Sequence, residues 1–270
     1  MTDPALGDLW RRALDGDSGP LADRLAADSR LPGPRANLEL AHATADAAGT
    51  TPPGRTADAV RILDGWLSAP AETDDPRGEY LAAVAALCAG ALASDESAAL
   101  ASDGSAGPTG LLTRAASDPR WRVRELAATG LQRVLAADWD RGVAQARAWL
   151  GGGPLLVRAA TAAVAEPPLL REHAHAVEAT AVVRGAVDVL LAVPAGERTR
   201  PDVRVLRQAL GYAVSVVTAA DPDSGVPLLE RLATSTDPDA RWVARGNLRK
   251  ARLGPLADRL AVARDAVSRS

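Results

Sequence analysis

Phenylalanine is absent from the 270 residues, and isoleucine, lysine, methionine and cysteine each occur once, as Ile62, Lys250, Met1 and Cys88. A single cysteine forms no intramolecular bridge, which excludes a disulfide-stapled secreted scaffold. Long apolar runs are also missing. The longest, Tyr80 to Ala93, falls short of the roughly 20 residues that a membrane-spanning helix needs. The opening MTDPALGDLW carries acids where a signal peptide carries bases, so the expectation is a cytoplasmic protein with no membrane contact. Aromatic residues make up 3% of the chain, and the β-branched and aromatic content that strands favour is modest.

What is present points to helices. Of the residues, 47% are hydrophobic and 59 are alanine, the best helix former and one that lets helix axes approach closely. Prolines at 34, 76, 119, 154, 201 and 238 precede apolar helical segments at intervals of 42, 43, 35, 47 and 37 residues. Proline suits a first helical turn, where its missing N–H has no partner anyway. Asp75, Asp118 and Asp237 stand directly before three of these prolines as expected N-caps. Apolar stripes follow at helical spacing: Leu81, Val84, Leu87, Cys88 and Ala91; Val123, Leu126, Ala127, Gly130 and Val134; Val203, Leu206, Leu210, Val214 and Val217. The pattern predicts an all-α chain of about six helix pairs, each exposing one apolar side.

Motif searches narrow the chemistry. The chain has no GxGxxG, P-loop, GxSxG or CxxC motif. DPDSG at 221–225 starts like a calcium loop, but its twelfth position is Leu232 rather than Glu. His173 and His175 lie two apart, which on a helix points them to different sides; His42 reads as a helix-edge residue and Cys88 as an inert core thiol. No metal site and no cofactor are expected, and nothing identifies a catalytic residue.

The segments SDPRWRVRELAATGLQRV and TDPDARWVARGNLRKARL resemble HEAT repeats, whose second helix opens with an Asp-Pro turn followed by a Val-Arg-type pair and small residues. The likeness covers residues 110–253 best. It implies a right-handed α-solenoid whose second helices line a concave binding surface. The expected organisation is an acidic helical part over 1–93, a small polar loop over 94–109 and a basic HEAT-like part over 110–270. Net charge supports this division, at −9 for residues 1–110 and +6 for the remainder.

On the sides away from the stripes lie Trp121, Glu125, Ala128 and Gln132; Arg158, Thr161 and Ala165; and Arg204, Gln208, Gly211 and Ser215. Arg241, Arg245, Arg249 and Arg252 share one narrow sector beside Trp242 and Lys250, with no acid among Arg241–Arg252. The candidate binding set is therefore Trp121, Glu125, Arg158, Arg204, Gln208, Arg241, Trp242, Arg245 and Arg249. A competing reading pairs these arginines with Asp118, Asp202, Asp237 and Asp239 in a structural ladder between repeats.

Two functions follow. One is a non-catalytic HEAT-like interaction or scaffold module that holds a protein or other anionic partner. The alternative starts from a resemblance to the HEAT-like alkylpurine DNA glycosylases, which hold DNA on a basic concave surface. That resemblance implies Trp121 and Glu125, flanked by Arg122 and Arg124, as the tryptophan and carboxylate that stabilise a cationic nucleotide. Here Glu125 stands where that family uses Asp.

Overall fold

The computed structural model describes residues 4–70, 75–94 and 107–269. The chain is all-helical, with no strand among the described residues. No helix among them is long and apolar enough to cross a membrane. The helices gather into two compact units, Met1–Asp138 and Trp139–Ser270. The predicted 94–109 loop falls largely on residues 95–106, outside the described residues; Ser94 closes one helix and Gly107 precedes the next.

The N-terminal unit holds α1 (Pro4–Leu14), α2 (Gly19–Ala27), α3 (Leu38–Ala48), α4 (Thr56–Leu67), α5 (Pro76–Ala93), α6 (Pro108–Ala116) and α7 (Trp121–Ala137). Its centre is α5, which packs against α2, α3, α4, α6 and α7. Every residue from Tyr80 to Ala93 is buried, so the single-faced stripe predicted for this segment is in fact the core of the unit. Small side chains make this arrangement feasible. At the α5–α7 crossing Gly90 meets Gly130, and a Cβ on Gly90 would sit 2.3 Å from the Gly130 Cα. Cys88 is fully buried there, and desolvation pushes its thiol pKa up to about 12, which makes it the inert core thiol expected.

The C-terminal unit holds α8 (Trp139–Trp149), α9 (Pro154–Val164), α10 (His173–Ala192), α11 (Pro201–Ala220), α12 (Pro222–Thr234), α13 (Pro238–Leu248) and α14 (Ala261–Ser268), with a 3-10 segment at Ala251–Leu256. Here α11 is central, packing against α9, α10, α12 and α13. The predicted stripes at Val123–Val134 and Val203–Val217 are both buried.

Helix starts follow the proline logic at four of the six positions. Pro76, Pro154, Pro201 and Pro238 each open a helix. Asp237 caps α13, accepting from the backbone N–H groups of Asp239 and Ala240 at 2.8 and 3.1 Å. Asp75 occupies the cap position of α5 without a side-chain cap bond. Two starts differ from the prediction. After Pro34 the helix waits until Leu38, because Asn37 supplies the cap by accepting from Leu40 N–H. After Pro119 it waits until Trp121, because Asp118 is engaged in a different bond. Its buried carboxylate receives both the Arg120 guanidinium and the Arg120 N–H, and Arg120 also donates to the Leu67 carbonyl.

Candidate functional site

In the C-terminal unit, α13 and the neighbouring turn of α11 form one basic and aromatic face. A helix advances about 100° per residue. The buried positions of α13 (Ala240, Val243, Ala244, Asn247 and Leu248) leave one sector that holds Arg241, Arg245, Arg249 and Trp242, with Gly246 at its edge against α11. The two helices come close at a pair of glycines: a Cβ on Gly246 would lie 3.3 Å from the Gly211 carbonyl oxygen, and one on Gly211 would lie 2.8 Å from the Trp242 indole. Asn247 stitches the helices from inside, accepting from Ser215 N–H at 2.7 Å and donating to the Leu210 carbonyl at 2.8 Å.

Cations lie over the two exposed rings of this face. The Arg207 guanidinium is 4.8 Å from the Trp242 ring, and that of Arg252 is 4.5 Å from the Tyr212 ring. Lys250 approaches Tyr212 at 5.5 Å, and Arg252 also donates to the Tyr212 hydroxyl at 2.8 Å. Such contacts contribute about 0.5–1 kcal/mol each when exposed, so they orient side chains more than they hold the fold.

The acids of this region are already committed elsewhere. Asp239 is buried and pairs with Arg207 at 2.6 Å and with Arg198 at 3.4 Å, while Asp237 pairs with Arg198. Burial raises the Asp237 carboxyl, but the Arg198 bond and the N–H groups of Ala240 and Asp239 outweigh it and hold its pKa below the usual value. Among the described residues, none of Arg204, Arg241, Arg245, Arg249 and Lys250 has an acid within ion-pair distance. Asp237 and Asp239 thus do pair with arginines, but with Arg198 and Arg207 rather than with those of α13. The Nε atoms of Arg207 and Arg241 are buried without a hydrogen-bond partner.

The structure separates the sequence-predicted set. Arg204 and Gln208 are exposed on α11 near this face, whereas Ser215, predicted beside them, is buried. Arg158 is nine-tenths buried, and Thr161 and Ala165 are buried with it, so that side of α9 packs inward instead of facing out. Arg252 leaves the helical sector because α13 ends at Leu248, and it reaches Tyr212 from the 3-10 segment. Arg207 and Tyr212 belong to the face but were missed. Their signal was their position, three and eight residues after Arg204 on the same helix.

Trp121 and Glu125 belong to the N-terminal unit, where both line a cleft of about 590 Å³. Ala128, predicted beside them, is buried. The opposite wall is the segment 30–39, contributing Arg30, Arg35, Leu38 and Glu39, and Tyr80 lies at the floor. Trp121 is 52% exposed, with the Arg122 guanidinium 4.5 Å from its ring centre. Arg122 is in turn held by Glu79 at 3.0 Å. Nothing in the spacing of residues 30–39 announced this wall. It arises because Tyr80 donates its hydroxyl to the Asn37 carbonyl at 2.6 Å and pins the loop over α5.

A third cluster was also missed. His175 stacks on Trp139 with ring centres 4.0 Å apart and an interplanar angle of 12°. The Trp139 indole donates to Glu178 at 2.6 Å, and Arg147 pairs with the same carboxylate at 2.7 Å. His173 is exposed, so the two histidines do point apart as their spacing requires. Asp221 in the DPDSG segment caps α12, accepting from Ser224 N–H.

No protein-family model and no curated protein sequence matches the chain.

Proposed function

We propose that this chain is a non-catalytic interaction module of HEAT-like helix pairs, and that the α11–α13 face of its C-terminal unit receives an acidic surface of a partner protein. The reading takes α6–α7 and α12–α13 as repeats, on the strength of their Asp-Pro turns and buried stripes. The observation that carries it is the division of labour among charges. Asp237 and Asp239 are occupied by Arg198 and Arg207, which leaves Arg204, Arg241, Arg245 and Arg249 uncommitted beside two exposed aromatic rings. Uncommitted arginines next to Trp and Tyr are the residue types that dominate protein interfaces. A cytoplasmic setting goes with this proposal.

The test is capture of partners by the wild-type chain and by Arg245→Glu, with elution followed against salt. Loss of salt-sensitive partners in the variant supports the reading; identical partner sets and salt profiles would remove it.

A second reading, DNA binding with action on alkylated bases, draws on one observation, that Trp121 and Glu125 line the same cleft. It requires duplex DNA affinity whose logarithm falls linearly with the logarithm of salt concentration. It also requires release of methylated purines that drops in Trp121→Ala and Glu125→Gln. No DNA binding at low salt, or unchanged release in both variants, counts against it.

A further inference from the structure

The cleft of the N-terminal unit has its own ligand chemistry, which the basic face does not explain. Two of the protein's exposed large hydrophobic side chains, Leu38 and Trp121, each 52% exposed, converge on it. Ala83 and Leu126 continue its apolar lining. Apolar surface left open inside a concavity marks a place where a ligand body gains by excluding water.

Its charged groups are not equivalent. Arg122 is paired with Glu79 and lies against Trp121. Glu125 already has an interaction within the protein. Glu39 sits in the first turn of α3, where a carboxylate complements the helix N-terminus without any ligand. Arg30 and Arg35 remain, exposed and with no acid or hydrogen-bond acceptor among the described residues. Arg30 also holds a left-handed backbone conformation, φ 63°, which is unfavourable for an L-residue with a Cβ. Asn or Gly would occupy that position more easily.

We propose that this cleft binds a small amphiphilic anion, with its apolar or aromatic body between Leu38 and Trp121 and its acidic group received by Arg30 and Arg35. Carboxylate and phosphate monoester share the chemistry a pair of guanidinium groups recognises. Glu39 and Glu125 set an upper limit on charge, because two carboxylates in the same cleft disfavour a polyanion. The site is independent of the α11–α13 face and stands or falls separately from it.

The experiment is titration calorimetry on the full chain with four probes of one shape: 2-naphthoate, 2-naphthyl phosphate, 2-naphthylmethanol and 2-naphthylmethylammonium. One or both anions are expected to bind at one site per chain, about tenfold or more tighter than the alcohol, a difference worth about 1.4 kcal/mol. The ammonium is expected to bind no better than the alcohol. The better anion tells carboxylate from phosphate. Arg30→Asn and Arg35→Gln should bring the anion down to the affinity of the alcohol, and Trp121→Ala should weaken all the probes that bind. Arg30→Asn should keep or raise the melting temperature, since Asn tolerates the left-handed region, and this separates loss of a ligand contact from loss of fold. Equal affinity for anion and alcohol, tighter binding of the ammonium, unchanged affinity in both arginine variants, or no binding at millimolar probe would each overturn the proposal.

Discussion

At the scale of single residues, two carboxylates are tied to fixed donors that shift their ionisation. Glu178 accepts from the Trp139 indole and from Arg147, and these two bonds, the indole first, hold its pKa below the usual carboxylate value. A carboxylate whose pKa is depressed by folding stabilises the protein above its unfolded pKa of about 4.3 and loses that contribution as pH falls through the folded value. Glu178→Gln should therefore cost about 1 kcal/mol at pH 7 and progressively less toward pH 3. Urea denaturation at several pH values reads this, and a cost independent of pH would refute the charge-based account. Asp237 obeys the same sign rule through Arg198 and its capping bonds. Asp237→Ala should lower stability by about 1 kcal/mol or more at neutral pH, because it removes both a helix cap and an ion pair.

At the scale of helices, the chain depends on close crossings that permit no side chain. A Cβ on Gly130 would lie 2.8 Å from Leu112 Cδ1 and 2.9 Å from the Ala86 carbonyl. The carbonyl belongs to the backbone of the buried α5 and has little room to move. Gly130→Ala is expected to destabilise by about 1–3 kcal/mol despite alanine's better helix propensity. Gly65, in α4, supplies the control: a Cβ there meets nothing within 4 Å. Gly65→Ala should stabilise by about 0.5–1 kcal/mol. Equal effects of the two substitutions on the urea midpoint would show that crossing distance is not what governs these positions.

At the scale of the whole molecule, net charge conceals the distribution that decides binding. The N-terminal unit carries 13 basic and 20 acidic side chains, net −7, and the C-terminal unit 18 and 14, net +4. Arginines of the N-terminal unit are mostly engaged with its acids, as Arg55 is with Asp15 and Asp58 and Arg114 with Asp64. The α13 arginines are not so engaged. The protein, at net −3 overall, is therefore expected to be retained on a cation exchanger at low salt and pH 7, through its local field rather than its sum. Arg241→Glu with Arg245→Glu should pass through unretained. Passage of the wild-type chain itself would show that the face presents no usable positive potential.

How much of this was legible beforehand varies with the kind of information each feature needs. Helix type, the stripes from Val123 and Val203, and the Asp237 cap depend on residues within a turn or two of one another, so periodicity and short-range hydrogen bonding were enough to specify them. The full burial of α5 was not legible. Its residues read as one stripe, and five neighbouring helices had to be placed before its remaining sides were known to be covered. Arg158 was misplaced for the same reason, since helical phase gives a side but not what packs against that side.

The sequence alone determined that the chain is helical, that alanine would let its helices pack closely, and that basic residues concentrate after residue 110, because each of these is a property of local order or composition. Tertiary structure alone decided which arginines are free, because pairing is a contest among partners distant in sequence. Arg198, some forty residues before Asp237 and Asp239, reaches both, and Arg207 reaches Asp239, which leaves the α13 arginines uncommitted. Tertiary structure also brought the 30–39 segment over Trp121, through a Tyr80 hydroxyl bond spanning 43 residues that no spacing rule encodes.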